Sequence, residues 1–182
     1  MDRENPSIIL DAKEVDDAVF RIAQEITQRH SDLEKVALVG IHTRGVHLAK
    51  RIRDAVEKIS AKALRTGEID ITLYRDDWTK IGYSPVVQST KIDFPVDDMI
   101  IILVDDVLFT GRTTRAALDE LIDFGRPAKV ELAVLVDRGM RELPIQADYV
   151  GVFEITDRHQ MVNVMLTECD GKDLVVLSKN GD

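Results

Sequence analysis

Two adjacent carboxylates, Asp105 and Asp106, close an apolar run, Ile101-Ile102-Leu103-Val104, and lead into Val107-Leu108-Phe109-Thr110-Gly111-Arg112-Thr113-Thr114. Ionised carboxylates accept hydrogen bonds and attract cations, so the pair suits a sugar diol and a metal ion bridging that sugar to a pyrophosphate. The turn beyond them offers the opposite chemistry. Gly111 lets backbone approach an anion, the hydroxyls of Thr110, Thr113 and Thr114 donate, and free amides at the start of the next helix can cradle a terminal phosphate. The aligned peptides place roughly half a positive charge there, so a phosphate can be held without burying lysines. An acceptor end and a donor end together match a phosphorylated pentose. A Walker nucleotide loop would need a lysine after its second glycine, and none is present. The plain alternative is a solvated strand end followed by a helix that Thr110 caps.

Three further stretches carry chemistry. His42-Thr43-Arg44-Gly45 follows the apolar run Lys35–Ile41 and precedes a helical pattern, so its amides and the Arg44 guanidinium can meet a doubly charged leaving group. Tyr74-Arg75-Asp76-Asp77 begins an irregular arm, residues 75–98, broken by Gly82, Pro85 and Pro95. Such an arm can bring Arg75 over pyrophosphate and exclude water from an electron-deficient sugar; read plainly, it is a charged turn. Val136-Asp137-Arg138-Gly139-Met140-Arg141 ends another apolar run, where backbone donors and acceptors could read the carbonyl and imide edges of a base. A loop with no such task fits that spacing nearly as well.

The elements that must position these residues follow from periodicity. Asp11 caps a helix over Ala12–His30, with Val15, Val19, Ile22, Ala23 and Ile26 on one face. Strands are expected at Lys35–Ile41, Ile69–Tyr74, Met99–Val104, Val130–Val136, Tyr149–Ile155, Val162–Leu166 and Leu174–Leu177, with helices at Val46–Ile59 and Arg112–Phe124. Continuous apolar strands alternating with helices imply an α/β fold with a mainly parallel sheet covered on both faces. Ligands of such sheets bind beyond the carboxyl ends of the strands, here in the loops after Ile41, Val104 and Val136.

With 182 residues, 45% hydrophobic and 31% charged, the chain suits one globular domain. The start, with Asp2 and Glu4, lacks the cationic flank and apolar core of a signal peptide, and no apolar run approaches the ~20 residues that span a bilayer, so a cytoplasmic protein is expected. Cys169 is the lone cysteine and is expected to be a small core residue; it cannot form an internal disulfide or a cysteine cluster for zinc. A net charge of −9 repels polyanions at long range, so nucleic-acid binding would need a local basic patch.

Residues 101–113 resemble the motif of the type I phosphoribosyltransferases: four apolar residues, two acidic ones, a short apolar stretch and Thr-Gly-x-Thr. That resemblance implies 5-phosphoribosyl-1-pyrophosphate (PRPP) bound by Val104 through Thr114, and by Thr43, Arg44 and Gly45 as the pyrophosphate loop. It also implies a non-prolyl cis peptide in that loop, placed between Thr43 and Arg44. Adding His42–Gly45, Gly67–Asp77 and Asp137–Ile145, nearly the whole chain is similar to the PyrR family, pyrimidine operon regulators with uracil phosphoribosyltransferase activity. The resemblance implies a small hood built from the N- and C-terminal segments, a core over about 31–140, and a homodimer or dimer of dimers. It further implies magnesium with PRPP, the nucleobase uracil beside Val136, Asp137, Arg138 and Met140, and UMP- or UTP-responsive binding to an mRNA leader. Asp105, Asp106, Arg44 and Arg75 are the expected catalytic residues, Asp105 and Asp106 also standing nearest the metal.

The chain departs from the family's usual pattern. Met140 and Gln146 stand where His and Arg are usual, and Val152-Phe153 replaces a basic and amide pair. These losses remove positive charge on which RNA binding draws, and they leave the PRPP residues untouched. The enzyme reading is therefore set against two rivals: a nucleotide-sensing RNA-binding protein that uses the same pocket for an effector, and a purine phosphoribosyltransferase with the same core.

Overall fold

A computed structural model of the protein describes residues 6–71, 90–157 and 159–179. Its elements in chain order are β1 (Ser7–Leu10), α1 (Ala12–Arg29), β2 (Val36–Ile41), α2 (Arg44–Ser60), β3 (Arg65–Ile69) and β4 (Ile100–Leu108). They continue with α3 (Arg112–Ile122), β5 (Lys129–Asp137), β6 (Tyr149–Phe153), β7 (Gln160–Met165), α4 (Thr167–Asp170) and β8 (Leu174–Lys179). Five strands form a parallel sheet in the order β3-β2-β4-β5-β6. A separate antiparallel sheet, β1-β8-β7, joins the two ends of the chain into the hood.

The apolar runs become strands because both faces of the parallel sheet are covered. Leu38, Ile102, Val104, Ala133 and Leu135 pack with α1 and α2, whereas Val39, Ile101, Leu103, Leu132 and Val134 pack with α3. The two-residue alternation of a strand thus sends successive side chains into two separate cores. Helix α1 starts with a capping box: Glu14 N–H donates to Asp11 Oδ1 at 2.9 Å, and Asp11 N–H donates to Glu14 Oε2 at 2.8 Å. Such a box typically stabilises a helix by about 1 kcal/mol. The hood joins the α1/α2 core through Val162, Val164, Leu166 and Val175, and Arg51 of α2 ties to Glu168 at 2.6 Å and Asp173 at 2.7 Å.

Three expectations need correction. The strand expected at Ile69–Tyr74 lies at Arg65–Ile69, because it pairs in register with Ala37–Ile41 and stops where that partner stops; Thr72 to Tyr74 lie outside the described residues. Strand β4 does not end at Val104 but continues to Leu108, since β5 runs on beside it and pairs Asp105 with Val134 and Leu108 with Asp137. Cys169 is exposed, because it lies on α4, a single turn with no buried residue. Strand β1 and helix α4 were not read from the sequence at all, being too short to show a period.

Candidate active site

The parallel register brings the ends of β2, β4 and β5 side by side, with Gly40 opposite Val104 and Leu108 opposite Asp137. At the first of these ends the chain must turn sharply. A Cβ on Gly40 would lie 2.4 Å from Val46 Cα, and one on Gly45 would lie 2.3 Å from the Val104 carbonyl oxygen. Only glycine fits at either position, and the loop His42-Thr43-Arg44-Gly45 is thereby pressed against β4 where Asp105 begins. The cis peptide falls between His42 and Thr43, one bond earlier than the resemblance suggested. Thr43 is exposed and forms the N-cap of α2 without a side-chain bond.

Asp105 is buried and Asp106 half-buried. Each folds back on the strand: Asp106 N–H donates to Asp105 Oδ1 and Val107 N–H to Asp106 Oδ1, both at 2.9 Å. Val104 and Val107 join the α1/α2 core and Leu103 and Leu108 the α3 core, so the alternation breaks across the carboxylate pair. Val104 and Leu108 are core side chains; only their backbone is available to a ligand.

The turn after β4 closes at Gly111, whose φ of +91° is left-handed and starts α3 with no side-chain cap bond. The first α3 amide turns back on that turn, Arg112 N–H donating to Thr110 Oγ1 at 3.4 Å. Thr110 and Thr113 are half-buried, while Thr114 is 3% exposed and sits among core groups, which leaves two of the three hydroxyls open to a ligand. Residues 142–145 brace the turn from outside. Glu142 N–H and Leu143 N–H donate to Thr110 O at 3.0 and 3.2 Å, and Arg112 Nε donates to Glu142 Oε2 at 2.8 Å.

Arg44 is engaged by the hood. Its Nε and Nη2 donate to Asp170 Oδ2 and Oδ1 at 3.2 and 2.9 Å. The hydrogen bond to Asp170 raises the pKa of Arg44, with burial opposing it and the Asp106 charge adding to it, so Asp106 is near enough to feel this cation. The same bond from Arg44, with one from the Leu166 amide, lowers the pKa of Asp170. Asp170 had no signal in the sequence, because its relation to Arg44 exists only once α4 docks on α2.

After β5 the side chains turn to one another. Asp137 accepts from Gly139 N–H at 3.0 Å and from Arg141 Nη2 at 2.5 Å. Arg138 lies over the Phe109 ring at 4.1 Å and donates to Thr156, Asp157 and Gln160. Burial lowers the Arg138 pKa, opposed by the charge of Asp157. Val136 is a core residue and Met140 adopts φ +55° in the turn. An open cleft of about 370 Å³ beside this loop is lined by Asp137, Gly139, Arg141, Ile145, Gln146, Phe153 and Ile155, apart from the carboxylate pair. Tyr74, Arg75, Asp76 and Asp77 lie outside the described residues. Among the described residues, no group of three or more His, Cys, Asp or Glu is arranged to hold a metal ion. No described helix is long and apolar enough to cross a membrane.

Comparison with known proteins agrees with this geometry. Residues 7–169 match the phosphoribosyl transferase domain family. Among solved structures, the hypoxanthine phosphoribosyltransferase of Trypanosoma cruzi superposes with a TM-score of 0.71 at 15% identity, covering 95% of this chain and 96% of that one. A hypoxanthine-guanine phosphoribosyltransferase of Bacillus anthracis gives a TM-score of 0.68 at 15% identity, covering 98% and 99%. The parallel sheet, the carboxylate pair within β4 and the separate hood are those of a type I phosphoribosyltransferase. The Bifunctional protein PyrR of Desulfosudis oleivorans is 65% identical over 179 residues, 98% of this chain and 99% of the relative. That of Clostridioides difficile is 53% identical over 171 residues, covering 94% and 97%. The chain belongs to the PyrR family of the phosphoribosyltransferases.

Proposed function

We propose that the protein transfers the phosphoribosyl group of PRPP to uracil, releasing pyrophosphate and forming UMP, and that it takes part in regulating pyrimidine biosynthesis genes. The observation that carries the reading is the junction of β2 and β4. Gly45 is pressed against the Val104 carbonyl, so the candidate pyrophosphate loop adjoins the carboxylate pair, with the N-terminus of α3 following the same strand.

In this reading the amides of α3, Thr110 and Thr113 hold the 5-phosphate, and Asp105 and Asp106 accept from the ribose hydroxyls. Thr43, Arg44 and the amide of Gly45 receive the pyrophosphate, and Arg75 closes over it. The carboxylate pair suits a magnesium ion that arrives with PRPP, and bound there Mg²⁺ would neutralise charge on the pyrophosphate. The C1–oxygen bond breaks ahead of attack by a uracil ring nitrogen. Asp105 and Asp106 stabilise the positive sugar that results, so charge stabilisation rather than a covalent nucleophile carries the reaction. For Arg44 to reach pyrophosphate, its pair with Asp170 must loosen or share the guanidinium.

UMP and UTP are the nucleotides expected to bind the same pocket, in a homodimer or dimer of dimers in the cytoplasm. The exposed Gln146 and the half-buried Val152 stand where the family carries positive groups, so leader-RNA binding is the weaker of the two activities. The test is incubation with uracil, PRPP and magnesium, with UMP read by its spectrum and retention. UMP formation that stops when magnesium is chelated is expected. Exclusive use of hypoxanthine or guanine would overturn the choice of base, and no product with any base would overturn the enzyme reading.

A further inference from the structure

Arg138 follows β5 next to the place proposed for the nucleobase, and its side chain is turned into the protein. It is 7% exposed, and its Nε and Nη2 are both engaged within the protein. Nε donates to Thr156 Oγ1 at 2.8 Å, and Nη2 donates to Asp157 O at 3.0 Å and Gln160 O at 2.8 Å. The other side of the guanidinium covers the Phe109 ring at 4.1 Å. One side chain therefore touches two regions that lie more than one element apart. Phe109 belongs to the turn between the carboxylates and Gly111. Thr156 and Asp157 belong to the irregular stretch after β6, and Gln160 opens β7 of the hood.

Both ends of this link are anchored. Phe109 O accepts from Arg141 Nη1 at 3.0 Å, and Arg141 is itself fixed to Asp137 and to Ile145 O. The hood end is held by its own turn, in which Asp157 N–H donates to Gln160 Oε1 at 3.0 Å and His159 N–H to Asp157 Oδ1 at 2.7 Å. Residues 154–157 form no strand or helix, and Thr156 is buried at 6% with its hydroxyl turned to Arg138. Strand β7, which starts at Gln160, also approaches β4. A base bound beyond β5 would lie between the phosphoribosyl turn and this stretch.

We infer that Arg138 is a positioning residue for the nucleobase: by joining Phe109 to Thr156, Asp157 and Gln160, it sets the gap between the phosphoribosyl turn and the hood in which the base is held. The inference rests on the reading of the protein as a uracil phosphoribosyltransferase. Lysine cannot replace the fork, because one ammonium cannot cover a ring and meet three acceptors set in a plane. A residue that only supported the fold would lower stability without separating the two substrates. A residue that sets the base gap must weaken uracil more than PRPP.

The experiment measures the uracil KM and kcat, and the PRPP dissociation constant by calorimetry with magnesium, for wild type, Arg138→Lys and Arg138→Met. It adds Phe109→Leu, Thr156→Val and their combination, each with circular dichroism to check folding. In Arg138→Lys the uracil KM should rise about tenfold or more while PRPP binding moves less than about threefold. Phe109→Leu and Thr156→Val should each raise the uracil KM, with a joint effect smaller than the product of the two; in the Arg138→Met background neither should add more. An unchanged uracil KM, an equal loss of both substrates, or independent multiplying effects at 109 and 156 would overturn the inference. If the Arg138 variants do not fold, the Phe109 and Thr156 cycle in the wild-type background decides alone. Absence of uracil turnover in wild type would remove the functional reading and this inference together, whereas turnover with an unshifted KM removes the inference only.

Discussion

Gly45 has no room for a side chain because a Cβ there would lie 2.3 Å from the Val104 carbonyl oxygen and 3.2 Å from Asp105 Cα. The backbone of the pyrophosphate loop is thus fixed against the strand that carries the carboxylates. Gly45→Ala must push the two apart, and backbone cannot yield as a flexible side chain can. The substitution should lower kcat/KM for PRPP at least about a hundredfold, as displaced catalytic geometry does. Initial rates and thermal melting check it; near-wild-type rates would show that this contact does not set the site.

Asp105 and Asp106 need their charges for the proposed chemistry but not for the fold, since a neutral amide oxygen can still accept the Asp106 and Val107 amides. The double substitution Asp105→Asn with Asp106→Asn should keep the far-ultraviolet spectrum and lose turnover by about two orders of magnitude or more. Undiminished initial rates would remove both residues from the mechanism.

Arg44 and Asp170 should respond unequally. Their pair is partly exposed, at 35% and 23%, where solvent screens an ion pair to little net worth. Asp170→Asn should therefore change PRPP affinity by no more than about fivefold. Arg44→Gln, which deletes the cation that receives pyrophosphate, should cost about tenfold or more. Calorimetry with PRPP and magnesium on both variants measures the difference, and equal effects would mean that Arg44 serves the hood instead of the substrate.

Acid should unfold the protein partly through Glu131, a buried carboxylate at the end of the sheet far from the site. Burial by itself would raise its pKa, but hydrogen bonds from Lys129, Tyr149 and His30 outweigh that and hold it at about 2. The Tyr149 hydroxyl donates at 2.6 Å and His30 Nε2 lies 2.9 Å away. A folded pKa below the unfolded value gives stability that is complete above pH ~4.5 and is lost as pH falls toward ~2, on the order of 3 kcal/mol. Chemical denaturation across that range should show the loss, and Glu131→Gln should flatten it while lowering stability at pH 7. A wild-type curve no steeper than the variant's would refute this role.

The central strands and their helices were legible because each apolar run is long enough to show its period, and because both sheet faces are covered. Strand ends were less so. Nothing in Val104-Asp105-Asp106-Val107 announces that a strand continues through two carboxylates; β5 running alongside decides it, with each carboxylate accepting the next amide. In the same way, Ile69–Tyr74 alternates like a strand, yet β3 starts at Arg65 because pairing with β2 outweighs local alternation.

The order of residues alone determined the chemistry on offer: acceptors at Asp105 and Asp106, donors from Thr110 to Thr113, and a glycine wherever backbone must meet backbone. Those are local properties, carried by side-chain type and by neighbours within a turn. Which of these groups remain open was decided only by tertiary structure. Packing buried Thr114, docked Asp170 on Arg44, and turned Arg138 and Arg141 onto partners within the protein. Each of those outcomes depends on residues distant in the chain coming within hydrogen-bonding reach, which spacing in sequence does not encode.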